Sequence, residues 1–269
     1  MSAATNPDEA ETTPPNDPAS SFDKDSGFLL SAEDSEYKFS LQAMDSATIR
    51  SRIAELPVGP NEEDLARVEL TEAIGQHSAL MRLDHPARIR VRGSLGDYAF
   101  AFNAQALSKV FGDVGHGVAD GMISGSVRVR GNAGHGAGIS MTGGTLGIYG
   151  SAGDRVGASM RGGGIFVRGD VGDDVGLGAV AGTIVIGGDA GRNLGDPQSN
   201  VAVFLRGSAA SLKDGVTEAP LKKKQEVQLG LILISAGIRG NATDFRRIVP
   251  IAMLEAEKAA RGEVVPNWR

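Results

Sequence analysis

The side chains best equipped for chemistry in this 269-residue chain are four histidines and a regularly spaced set of carboxylates. His116 and His135 stand 19 residues apart, in one series with Asp97, Asp154, Asp173 and Arg192 at the same interval. Two imidazoles beside carboxylates can ligate zinc. Stacked in register, the same series is a solvated polar ladder whose neighbours offset each other's charge, and this is the expected form because one column offers poor tetrahedral geometry. His77 and His85 fall outside the series and carry no recognisable partner.

Other chemistry is excluded or unsupported. The chain has no cysteine, so it carries no thiolate nucleophile, disulfide, Cys-ligated zinc or iron–sulfur cluster. No nucleophile stands with a nearby base, and no carboxylate pair is isolated from the ladder. The Gly-rich strings Gly112–Gly117 and Gly131–Gly138 look like phosphate cradles, but each is followed by another short strand rather than a helix. No residue is therefore assigned a catalytic, cofactor-binding or metal-ligating role. A second series, Arg92, Phe111, Arg130, Tyr149, Arg168, Gly187 and Arg206, places guanidinium and aromatic faces in one stack. It can serve as a partner interface or an anion-facing edge, and is read first as self-stabilising cation–π packing.

Both series are positioned by a strict repeat. Glycine recurs at Gly93, Gly112, Gly131, Gly150, Gly169, Gly188 and Gly207, always 19 residues apart. A second glycine follows three residues later through Gly191, lapsing to Ala210, and a third lies seven after the first at Gly138, Gly157, Gly176 and Gly195. Two and four residues before the anchors stand pairs such as Ile89/Val91, Val127/Val129 and Ile184/Ile186, the alternation of a short half-buried strand. Positions two and six after the anchors are small or apolar, and Met122, Met141 and Met160 follow their anchors by ten.

One such unit cannot bury its inward face alone, so the predicted fold is an all-β, right-handed parallel β-helix of about seven 19-residue coils over 87–212. Glycine recurs because coil corners need positive φ or close backbone approach. Residues 1–27 carry six acids against Lys24 and four prolines, and are expected to be a disordered acidic tail. Residues 28–86 form a lead-in segment able to cover one end, with a helix from about Ser46 carrying Ile49, Ile53 and Leu56. Over 213–269 a helical cap is expected: Gln225–Gly237 closed by glycine, a short helix capped by Thr243 through Phe245 and Arg246 and broken at Pro250, then Ile251–Ala260 ending before Gly262.

Net charge is −6, of which the first 27 residues hold −5, so the body has no overall field for nucleic acid. No run of eighteen apolar residues and no basic, apolar leader appears, which makes a cytoplasmic, non-membrane protein the expectation.

The repeat units GDVGHGVADGMISG, GNAGHGAGISMTGG and GSAGDRVGASMRGG resemble the β-helical (GXGXG) domain at the C-terminus of the glutamate synthase large subunit, and the β-helical subunit of formylmethanofuran dehydrogenase. The resemblance spans about Ile74 to Glu218. Leu83-Asp84-His85-Pro86, Gly96-Asp97-Tyr98 with Asn103, Gly117-Val118-Ala119, Gly188-Asp189-Ala190-Gly191 through Leu194-Gly195-Asp196, and Leu205-Arg206-Gly207 are most similar to the stand-alone form, the middle subunit of the N-methylglutamate synthase family. The acidic N-terminus and Lys213-Asp214-Gly215-Val216 depart from that pattern. The resemblance implies a non-catalytic scaffold with no cofactor of its own. Its partners would be a class-II glutaminase-type subunit and an FMN-binding synthase subunit with an iron–sulfur cluster. A formylmethanofuran dehydrogenase complex or an independent β-helical hydrolase are the competing readings.

Overall fold

The computed structural model describes residues 36–236 and 240–261. The expected tail over 1–27 and the helix-ending glycines Gly237 and Gly262 lie outside the described residues. Within them the chain runs β1 (Tyr37–Ser40), α1 (Ser46–Ala54), β2 (Arg67–Gln76), β3 (Arg88–Leu95), β4 (Leu107–Phe111), β5 (Ser126–Val129), β6 (Thr145–Ile148), β7 (Gly164–Val167), β8 (Thr183–Ile186), β9 (Ala202–Leu205), β10 (Val216–Ala219), α2 (Lys223–Ala236), β11 (Arg246–Pro250) and α3 (Ile251–Ala260). Strands β1 to β9 pair parallel in chain order, and the sheet closes with β11 and then β10, both antiparallel to their neighbours. This is the expected parallel β-solenoid.

From β3 onward the register follows the repeat, with Ile89, Ser108, Val127, Leu146, Ile165, Ile184 and Val203 aligned in one column. A second wall is marked by single bridges linking Leu95, Val114, Ala133, Ala152, Val171, Ala190 and Ala209. Between the walls lies a continuous apolar core in which Met122, Met141 and Met160 are fully buried. In the first coil Asn103 takes the methionine's place, its amide donating to Ala106 O at 3.1 Å and Ser124 O at 2.9 Å.

The stack begins earlier than the 19-residue period does. Val68 pairs with Ile89, 21 residues on, and bulges between Leu70 and Ala73 and between Ile74 and Gln76 absorb the extra length. Bulges insert unpaired residues without ending a ladder, so pairing persists where periodicity fails. Helix α1 is capped by Asp45, which accepts from Thr48 N at 2.7 Å, and it buries Ile49 and Ile53 against the first coil.

At the other end the short helix expected through Phe245 and Arg246 is a strand. Asn241 and Asp244 form a capping box around one 3-10 turn containing Thr243, and β11 then pairs with the open edge of β9. Ile248 and Val249 are β-branched and suit that edge, which would otherwise offer unpaired backbone groups. Helix α2 lies on the outer face of the last coils, packing Leu229 and Leu233 on Val185, Phe204 and Phe245. Helix α3 starts immediately after Pro250.

Candidate interaction surfaces

From Gly93 to Gly169, the polar positions one and four after each anchor glycine are hydrogen-bond acceptors for the backbone of the next coil. In the outer column His116 N donates to Asp97 Oδ1 (2.7 Å), His135 N to His116 Nδ1 (2.8 Å), Asp154 N to His135 Nδ1 (2.9 Å), Asp173 N to Asp154 Oδ1 (2.9 Å) and Arg192 N to Asp173 Oδ1 (2.7 Å). A parallel column runs through Ser94, Asp113, Asn132, Ser151, Asp170 and Asp189 to Ser208 N, with contacts of 2.6–3.1 Å. Asp, Asn and His all carry an acceptor on the atom beyond Cγ, which is why they interchange here.

The glycines belong to the same device. A Cβ on Gly153 would lie 2.7 Å from His135 Nδ1, and one on Gly150 would lie 2.7 Å from Gly131 O and closer still to Asn132 Oδ1. Neither residue has positive φ, so close approach is the constraint at both positions. The third glycine column differs, since Gly157 has φ 65°, between Arg155 at 61° and Ser159 at 57°. Alternating left-handed residues turn successive N–H groups up and down the stack: Arg155 N and Ser159 N donate to the next coil at Asp173 O and Leu177 O, and Gly157 N to the previous one at Ala137 O.

His116 and His135 do stack, with centroids 4.9 Å apart and rings 10° from parallel. Each Nδ1 accepts a backbone N–H, which leaves only Nε2 outward, and parallel rings at this separation do not converge on one ion whose tetrahedral ligands stand roughly 3.3 Å apart. Among the described residues no group of three or more His, Asp or Glu is arranged to hold a metal. His77, expected to be without a partner, heads the same ladder: its Nδ1 accepts from Asp97 N at 3.0 Å. The bulged register of β2 hides that relationship, because His77 precedes Asp97 by 20 residues rather than 19. His85 Nε2 is buried without a hydrogen-bond partner among the described residues. At the far end Asp173 is held below the usual carboxylate range by the N–H of Arg192, then by that arginine's side chain.

The arginine–aromatic column lies on the outer face of the strands. Arg92 and Arg130 sit 5.6 and 5.8 Å from the Phe111 centroid, Arg130 is 5.3 Å from Tyr149, and Lys109 is 5.0 Å from Phe111. The neighbouring outward column changes character along the stack, from Arg90, Lys109 and Arg128 through Gly147 to Phe166, Val185 and Phe204. Helix α2 covers the apolar half. A carboxylate sits at the margin of the basic half: Arg92 Nε donates to Glu69 Oε1 at 2.7 Å, and Lys38 Nζ lies 3.6 Å from Oε2. Burial pushes the Glu69 carboxyl up, but the Arg92 hydrogen bond and the charges of Arg92, Lys38 and Arg90 outweigh it and hold the group below its ordinary range.

Elsewhere, an open groove of about 560 Å³ is lined by Arg82, Asp84, Phe102, Ala104 and Ile123. Among the described residues no helix is long and apolar enough to cross a membrane. Fold and surface together define a Gly-rich parallel β-solenoid whose regularly spaced polar side chains serve its own backbone. The chain matches no protein-family model and no curated protein sequence.

Proposed function

We propose that the chain is a cytoplasmic scaffold subunit of a glutamate-synthase-like complex of the N-methylglutamate synthase type, joining a glutaminase-type subunit to an FMN-binding synthase subunit that also holds an iron–sulfur cluster. The observation that carries a scaffold role is helix α2. Its inner face packs on the solenoid, and its outer face presents Val227, Leu231 and Ile234, which are 68, 66 and 81% exposed. These residues recur at helical spacing, and Gly230 among them has open space where a side chain would point. An apolar stripe on both faces of one surface helix is the signature of a helix with something to bind on each side. The type of complex rests on the repeat motifs between Ile74 and Glu218.

Affinity purification of the full chain from its native cells tests this. The expected result is recovery of a glutaminase-type chain and a flavin-containing chain. The Leu231→Lys/Ile234→Lys variant should lose at least one of them while melting at an unchanged temperature. Recovery of metal-dependent amidohydrolase and formyltransferase chains would transfer the protein to the one-carbon complex. Hydrolase activity of the purified single chain on an ester or polysaccharide would overturn the scaffold role.

A further inference from the structure

The open groove beside the first coils is built from two neighbouring columns of the stack. Arg82 N donates to Ala101 O and Phe102 N to Asp120 O, both at 2.7 Å, which makes Arg82, Phe102 and Gly121 successive members of one corner column, with φ of 60, 57 and 62°. Ala104 N donates to Leu83 O and Ile123 N to Asn103 O, so Asp84, Ala104 and Ile123 form the column beside it. In later coils the first column carries Ser140, Ser159 and Gly178, whereas Phe102 is a large ring left 48% exposed, and Ile123 next to it is 55% exposed. Gly121 makes room for the ring, since a Cβ there would lie 2.5 Å from Phe102 Cε1. The result is a groove with ionic groups at one end, an apolar wall at the other and the small Ala104 between them. Asp84 Oδ1 already accepts from Gln105 Nε2 at 2.9 Å, but among the described residues no acceptor meets the exposed Arg82 guanidinium.

We propose that this groove receives the C-terminal residue of a partner polypeptide, with its α-carboxylate on Arg82 and its apolar side chain on Phe102 and Ile123. A carboxylate is the bidentate complement of a guanidinium whose donors are unmet. The change from charged to apolar surface takes one coil, roughly 4.8 Å. At a chain terminus the carboxylate and the side chain branch from one carbon and together span that distance. Within an extended segment successive side chains face opposite ways, and those facing the same way stand roughly 6.8 Å apart, which fits the step less well. A free small molecule is disfavoured, because ligand sites bury most of their ligand's surface and this groove is open. A chain terminus arrives attached to the rest of its partner, whose other contacts hold it in place. The inference needs a partner chain, as the scaffold reading does, and adds to it a second contact at the opposite end of the stack from α2.

Fluorescence anisotropy on the full chain tests this, with the peptide Ser-Gly-Ser-Leu labelled at its N-terminus as probe. The free acid should bind with a Kd below about 1 mM, and the C-terminal amide of the same peptide should bind at least tenfold more weakly, a comparison that needs no variant. Arg82→Gln should remove the preference for the acid. Phe102→Ser, which reproduces the side chain carried by Ser140 and Ser159 in the same column, should weaken both peptides at an unchanged melting temperature. Leu231→Lys/Ile234→Lys should leave probe binding as it is, so that the groove and the α2 surface fail separately. Equal affinity for acid and amide, or no binding of either at about 1 mM, overturns the proposal and leaves the partners expected at α2 untouched. Tighter binding of free leucine than of the peptide acid also overturns it, since the groove would then be a small-molecule site.

Discussion

His135 illustrates how a residue equipped for catalysis is committed to structure. Its Nδ1 accepts the N–H of Asp154, its own N–H is accepted by His116, and Gly153 leaves the room that both require. These corner N–H groups have no sheet partner, and the ladder supplies each with a protein acceptor in place of water. The His116→Ala/His135→Ala variant should therefore lose stability, by roughly 1 kcal/mol per site, in urea or thermal unfolding. His116→Asn/His135→Asn should recover most of it, because Asn132 Oδ1 does the same work for Ser151 N at 2.9 Å in the parallel column. Equal stability of the alanine and asparagine variants would show that water replaces the imidazoles and that the ladder is incidental.

Among the elements, an ion cluster ties the parts of the C-terminal cover together. Glu257 on α3 accepts from both terminal nitrogens of Arg247 on β11, at 2.9 and 2.6 Å, and from Lys222 at the start of α2, at 2.7 Å. These contacts, the Arg247 hydrogen bonds first, outweigh burial and lower its pKa from 4.5 to about 2. A depressed carboxyl pKa gives stability that is complete above pH 4.5 and disappears as the pH falls towards 2. Glu257→Gln should accelerate hydrogen exchange across Ile251–Ala260 at pH 7, corresponding to roughly 1–3 kcal/mol since Arg247 is left buried without its bidentate partner. The difference from wild type should shrink between pH 4.5 and 2. A difference that does not vary with pH would place the effect in side-chain shape rather than charge.

For the molecule as a whole, every column is continued by the next coil, so the unit of tolerance is the coil rather than the residue. Deleting Gly112–Arg130, 19 residues, joins Phe111 to Gly131 and sets Asp97 beneath His135, Ser94 beneath Asn132 and Asn103 beneath Met141. These pairings are of the kinds found in the intact stack, and the shortened chain should fold cooperatively, melting lower by about 5 °C. Deleting ten residues from the same point brings polar columns under apolar ones and should leave a protease-sensitive, unfolded product. Comparable circular dichroism melts for the two deletions would contradict a column-by-column stack.

The solenoid was legible in the chain because stacking equal coils demands translational repetition, and a 19-residue period of anchor glycines with recurring apolar and polar columns is that demand written into residue types. The strands, the methionine column, the arginine–aromatic stack and the α1 and α3 helices follow from such local spacing. What required the tertiary structure were contacts between segments that share no period. Bulges let β2 and His77 join the stack out of phase; β11 became a strand because the edge of β9 needed a partner; and α2 found its place on the apolar outward column of the last coils. The reason for glycine at each position also waited on the structure, since positive φ and close approach leave the same residue in the sequence and differ only in what the missing Cβ would touch.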